Sequence, residues 1–361
     1  MYIEKTNTVR IDNRNSAFPT IIKIGGDLIC GFSVGGGPEA TGGTDWSRSS
    51  DSGKNWSTGG TVLPATPDGK YLWTNTLRLS KAANNKIIAY GQRILIDKDK
   101  NKFGENKTEP VFCISNDECR TWSNIQKIPN SYSCSVEASN PIVVLSDGRW
   151  LAPAGLLTSP ERLGEKVIAW ESCNEGKTWE NEFTVFSDPK NEKGFFEQKI
   201  IETEPGKLIA FAWTVKLPGY EDLTNHFSIS ENGGRTWSPP YSMPIYGQTM
   251  NPLWLGNNEY LLIYNYRKSP PGIRLAHVNI ENGRCEIFSD EYLWRPESGN
   301  TRQINSAENG IDLFDDFKFG LPSICHISGD SYAAVFWCKE GDFFGVRYIN
   351  MKLDLKKEVK K

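Results

Sequence analysis

Apolar positions along this chain fall in strand-length runs that come in pairs, each pair split by a short turn. The pairs occupy residues 18–32, 75–93, 140–157, 198–214, 251–267 and 321–337. In the third, PIVVL and WLAPAGLL flank Ser-Asp-Gly-Arg; in the fourth, QKIIE and KLIAFAWT flank Thr-Glu-Pro-Gly. Runs of this length bounded by turn residues predict β-strands. Behind each of the first four pairs stands one eight-residue pattern: SSDSGKNW (49–56), SNDECRTW (115–122), SCNEGKTW (172–179) and SENGGRTW (230–237). Each copy reads as a hairpin turn. An Asp or Asn folds its side chain onto nearby backbone amides, Gly supplies a positive φ in three copies, and the Trp packs beneath. Cys119 takes the Gly position in the second copy, which predicts a strained or differently shaped turn there. IENGRC (280–285) reads as a worn further copy.

Two strands, a third, the turn and a fourth make a unit of about 55 to 60 residues, and six such units fill the chain. The expectation is an all-β, six-bladed β-propeller with four-stranded antiparallel blades, spanning 1–361 as one domain. The N-terminal strand, near Tyr2 to Ile11, would pair with the last blade and close the ring.

Composition narrows the partners. A net charge of −3 offers no basic patch for phosphates, so nucleic acid is not expected. No run approaches the ~18 apolar residues of a membrane span, and MYIEKTNTVRI lacks the apolar core of a signal peptide, which points to a cytoplasmic chain with no membrane partner. The eight cysteines stand singly, without a CxxC pair, and Cys30, Cys325 and Cys338 sit inside apolar runs as small hydrophobes. His226, His277 and His326 show no zinc spacing, and neither a metal nor another cofactor is expected. Gly35–Gly37 and Gly42–Gly43 form a glycine-rich blade-one loop that reads as a lid.

The four boxes, the turns between first and second strands and the run NYRKSPPGIRL (265–275) resemble the sialidase and neuraminidase superfamily of glycoside hydrolases. The resemblance covers nearly the whole chain. It implies a sugar pocket at one end of the propeller axis, opposite the boxes, where residues before strand one and after strand two of each blade converge. Glu197 stands where sialidases carry the glutamate that activates their nucleophile, and Asp45 lies in the region of their mobile acid/base aspartate. Glu137 enters the adjacent blade. These three are the candidate catalytic carboxylates, since glycoside hydrolysis needs one group to protonate the leaving oxygen and another to attack or to activate water. Arg93, Trp213, Asn251, Tyr266, Arg267, Phe319 and Trp337 are the candidate sugar-binding residues, with Tyr264, Asp316 and Glu340 also placed at this end.

The chain departs from the sialidase pattern. Ala17-Phe18-Pro19 stands where the first arginine of the carboxylate-binding trio belongs, Ala212-Trp213-Thr214 where the second does, and Phe319 and Leu321 where the nucleophilic tyrosine would enter blade six. The residues therefore predict an exo-acting glycosidase that releases a terminal sugar with a carboxylate pair, as six-bladed relatives acting on arabinose-type units do. A sialidase with rearranged arginines and a glycan-binding propeller without catalysis are the alternatives.

Overall fold

The computed structural model describes residues 1–97, 106–297 and 317–354, and six antiparallel sheets follow one another along it. Blade one contains Ser16–Ile24, Asp27–Val34, Thr44–Ser49 and Ser57–Leu63. In blade two, Tyr71–Lys81, Ile87–Asp97 and Lys107–Ser115 are flanked by the short strands Thr66–Asp68 and Gln126–Lys127. Blade three has a broken inner strand, Ser135–Glu137 and Val143–Val144, followed by Trp150–Leu157, Leu163–Ser172 and Asn181–Ser187. Blade four runs Lys193–Glu204, Lys207–Lys216, His226–Ser230 and Tyr241–Ser242; blade five runs Met250–Gly256, Glu259–Tyr266, Gly272–Glu281 and Arg284–Trp294. Blade six is Phe319–Ser328, Ser331–Glu340 and Phe343–Lys352, and its fourth strand is the N-terminal Tyr2–Ile11. Tyr2 lies opposite Lys352 and Ile11 opposite Gly345, so the first and last strands close the ring as the pattern predicts.

Both faces of each sheet are covered by neighbouring blades, which explains why the inner strands are apolar on both sides. Ile24, Ile29 and Trp46 of blade one pack on Leu77, Ala89 and Val111 of blade two. Tyr90 and Phe112 then meet Trp150 and Ala152, and the same kind of interface recurs around the ring to Val335 and Tyr348 of blade six against Cys30 and Phe32 of blade one. Side-chain acceptors also clip one blade to the next. Leu77 N–H donates to Thr44 Oγ1 (3.0 Å), Ile200 N–H to Asn140 Oδ1 (3.0 Å), and Ile21 N–H to Ser323 Oγ (3.2 Å). All eight cysteines are free.

The four boxes share one hydrogen-bond scheme. The serine hydroxyl accepts the N–H four residues on, in Gly53, Cys119, Gly176 and Gly234, at 2.8 to 2.9 Å. The Asp or Asn oxygen accepts another N–H at the same spacing, in Asn55, Thr121, Thr178 and Thr236. Cys119 does not alter the turn. It adopts φ 72°, beside 79° for Gly53 and 82° for Gly176 and Gly234, so a side chain simply occupies the left-handed region there, at roughly 1–2 kcal/mol. Each tryptophan packs back onto the preceding blade: Trp56 lies edge-on to Tyr348 and Trp179 to Phe112. The expected box at 280–285 is instead a two-residue hairpin turn. Asn282 and Gly283, both at positive φ, join paired Glu281 and Arg284, the conformation an Asn-Gly hairpin favours.

Two boxes make the fold acid-sensitive. The Asn55 backbone N–H, the Asn55 amide and the Ser49 hydroxyl hold the Asp51 carboxyl down at about 2; the Thr121 hydroxyl and backbone N–H do the same for Asp117. A carboxyl lowered in the folded state stabilises above its unfolded value, near pH 4, and that contribution is lost as pH falls towards 2. Asp117→Asn copies boxes three and four, where Asn174 and Asn232 make the same bonds without titrating. Thermal melts should show this variant losing less stability than the native protein between pH 4 and pH 2.5.

Candidate active site

Glu197 sits on a distortion in the inner strand of blade four. Phe196 pairs with Trp213 and Lys199 with Phe211, so Glu197 and Gln198 together face Ala212 across a bulge. Glu197 takes φ 46°, a left-handed conformation that costs a glutamate free energy and turns its side chain out of the strand's alternation. The same bulge recurs in blade one, with Phe18 at φ 53°, and in blade six, with Leu321 at φ 42°. Equivalent positions on three blades thus carry Glu, Phe and Leu. Where the sialidase pattern calls for an arginine and a tyrosine, Phe18 and Leu321 pack with Ala17, Phe317, Trp337 and Phe344 into an apolar flank.

Glu137 reaches the site from blade three. It ends the Ser135–Glu137 strand opposite Gly155, after which the chain leaves the ladder until Val143. Gly155 has no side chain to fill the space. A Cβ there would lie 3.8 Å from Glu137 Oε2 and 3.7 Å from the Gln198 amide oxygen, which puts blade three's carboxyl beside blade four's bulge. Glu137 is 6% exposed, whereas Glu197 keeps partial contact with solvent.

Three cations surround the carboxylates. Arg78, from the inner strand of blade two, is buried with its guanidinium 5.6 Å from the Phe18 ring centre. Lys199 is buried between blades three and four. Arg267, just past the second strand of blade five, stacks 3.6 Å from the Phe317 ring centre and donates to the Gln248 amide oxygen and the Phe319 carbonyl. Gln248 in turn donates to Asp222 (3.3 Å), which also receives the Trp213 indole N–H (2.7 Å). Burial lowers the Arg78 and Arg267 values to about 10 and about 9, an effect opposed by Glu197 at both.

The two glutamates differ electrostatically. Burial, then the charge of Glu197, pushes Glu137 up to about 7, against the pull of Lys199, the Ser139 hydroxyl and Arg78. Burial also raises Glu197, and there Lys199, Arg267 and Arg78 oppose it. Polar atoms without a hydrogen bond inside the protein gather around them: Glu137 Oε2, both polar atoms of the Gln198 amide, Arg78 Nε and Nη1, Arg267 Nε and Trp337 Nε1. Each costs roughly 1–3 kcal/mol when left bare, and such a gathering marks a place where a polar ligand completes the bonding.

The other expected site residues have packing or bonding partners of their own. Asp45 is in the third strand of blade one, bonded to Arg14 (3.0 Å) and the Thr61 hydroxyl (2.8 Å). Arg93 is engaged by Glu109 (2.7 Å) and stacks on Trp73. Asn251 is a blade clip whose amide oxygen accepts Ile324 N–H (3.1 Å). Trp213, Phe319 and Trp337 are between 1% and 3% exposed and form walls, not open stacking faces. Tyr264 donates to Asp290, Tyr266 packs on Tyr292 and Arg274, and Glu340 accepts from Arg347. Asp316 lies outside the described residues. Arg78, Lys199 and Gln198 were not among the expected site residues.

A six-bladed propeller with these repeated boxes is the architecture of sialidase-like proteins. The family model for BNR repeat-like domains matches residues 46–287, and the chain belongs to that family. No curated protein is similar to it in sequence. Among solved structures, a Dyadobacter fermentans protein of unknown function superposes with a TM-score of 0.75 at 17% identity, over 97% of this chain and 98% of that one. The NanB sialidase of Streptococcus pneumoniae gives 0.63 at 10% identity, over 98% of this chain and 71% of the enzyme. Trypanosoma rangeli sialidase in complex with the inhibitor DANA gives 0.58 at 13%, over 97% of this chain and 58% of the enzyme. At these identities the likeness shows the shared fold.

Proposed function

We propose that this protein is an exo-acting glycoside hydrolase in which Glu137 protonates the leaving oxygen and Glu197 attacks the anomeric carbon or activates a water. The observation that carries the reading is the unlike environment of two neighbouring glutamates: Glu137 is deeply buried, with the charge of Glu197 set against two cations, whereas Glu197 is partly exposed and faced by three cations. That is the division a glycosidase needs between a protonated acid and an ionised partner. Arg78 and Arg267 supply N–H donors for sugar hydroxyls or an acidic substituent, and Glu197 is the partly exposed member that an incoming ring meets.

The apolar flank of Phe18 and Leu321 disfavours a 2-keto acid sugar held by three arginines, and favours a terminal sugar without such a carboxylate. The same flank supports a second reading, a propeller that binds glycans without cleaving them. Incubation with aryl glycosides of sialic acid, neutral hexoses, pentoses and uronic acids separates the two. Release of the phenol from one member, abolished in Glu197→Gln, supports the hydrolase. Saturable binding of glycans with no release from any member supports the binding protein.

A further inference from the structure

Lys199 follows Glu197 by two residues, closes the bulge, and is 3% exposed. Its ammonium donates to the Ser139 carbonyl (2.9 Å) and hydroxyl (3.2 Å) on blade three, and lies 3.4 Å from the carbonyls of Glu197 and Gln198 on its own strand. Three N–H groups are thus shared among four oxygens, none of them a carboxylate. The Ser139 carbonyl is available because the inner strand of blade three is broken after Glu137. The carbonyls of the bulge are turned inward by the left-handed backbone at Glu197. An ammonium caged in this way grips the two backbone segments that carry the glutamates. Arg78 and Arg267 make no hydrogen bond to either glutamate among the described residues, so they contribute charge but not this connection.

We propose that Lys199 is the positioning residue of the axial site, tying the Glu197 bulge to the broken strand that carries Glu137 and setting a positive charge beside both carboxylates. The proposal rests on the reading of Glu137 and Glu197 as the working pair. The charged groups facing Lys199 are Glu197 and Glu137, which favour its protonated form, and Arg78, which opposes it. Glu197 is faced by Lys199, Arg267 and Arg78. Glu137 is faced by Glu197, Lys199 and Arg78, with the Tyr90 phenol of blade two also within its field. Removing the Lys199 charge therefore shifts both carboxyls towards the neutral form. An arginine keeps the charge, but its planar fork does not match a cage built for a compact ammonium.

The test follows the titration of Glu137 and Glu197 by carbon NMR in the full chain labelled at glutamate carboxyls, assigned with the Glu→Gln variants, alongside kcat and KM. In Lys199→Met both carboxyls are expected to titrate about one pH unit or more higher, with kcat reduced at least about tenfold and KM little changed. Lys199→Arg is expected to keep the native titrations and still lose turnover. Unmoved titrations in Lys199→Met overturn the proposal. Should that variant not fold, Lys199→Gln carries the same test, and failure of both to fold makes Lys199 a structural clip and equally overturns it. If no glycoside is cleaved by the native protein, the hydrolase reading fails, while the titrations still decide the role of Lys199.

Discussion

Glu197→Gln should fold as the native protein does and cleave its glycoside about 10²- to 10⁴-fold more slowly in kcat/KM. The substitution preserves the size of the side chain, and Glu197 forms no ion pair among the described residues. Its three neighbouring cations act through space, and the bulge is held by Lys199 through backbone carbonyls, not through the carboxylate. Because Arg78 and Arg267 remain in place, the variant should still bind the sugar, with an affinity measurable by calorimetry close to the native KM. Lost turnover with retained binding is the signature expected. Equal loss of both would mean that Glu197 only holds the ligand.

Glu137→Gln should show a dependence on the leaving group. A general acid matters most when the departing oxygen is strongly basic, so alkyl glycosides should lose about 10²- to 10⁴-fold and nitrophenyl glycosides much less. The pH profile provides a second signature. As the proposed acid Glu137 must be protonated to act, and burial beside Glu197 raises it to about 7, so native kcat/KM should fall as pH rises through neutrality. The variant should lack that alkaline limb on nitrophenyl substrates. A limb that survives in Glu137→Gln would assign it to another group, with Lys199, itself lowered by burial, the first to examine.

The fold is legible in the chain because its period is written twice, once in paired apolar runs and once in the boxes, and because turn chemistry tolerates little variation. The ring closure by Tyr2–Ile11 follows from counting strands. Glu137 and Glu197 are legible because a rule of blade topology sends the starts of inner strands to the axis. Arg78 is hidden in NTLRLSK, where alternation with Leu77 and Leu79 mimics a strand with one wet face. An inner strand is covered by blades on both sides once the ring closes, so the side chain of Arg78 is buried. Lys199 looks like a surface partner for Glu197 until the bulge turns it inward. The expected stacking aromatics are buried for a related reason. Trp213 is wedged against Phe196 with its indole bonded to Asp222, and Trp337 against Phe18 and Phe344. Asp45 needed a partner that sequence spacing does not reveal, namely Arg14 from the connection before blade one.

A double-mutant cycle on kcat/KM with Glu137→Gln, Glu197→Gln and the combined variant, on one alkyl glycoside, is the most direct test that the two glutamates act as one pair. The expected result is a combined variant no slower than the slower single, because either substitution alone already breaks the pair. Full activity in either single variant, or losses that multiply in the double, would contradict it.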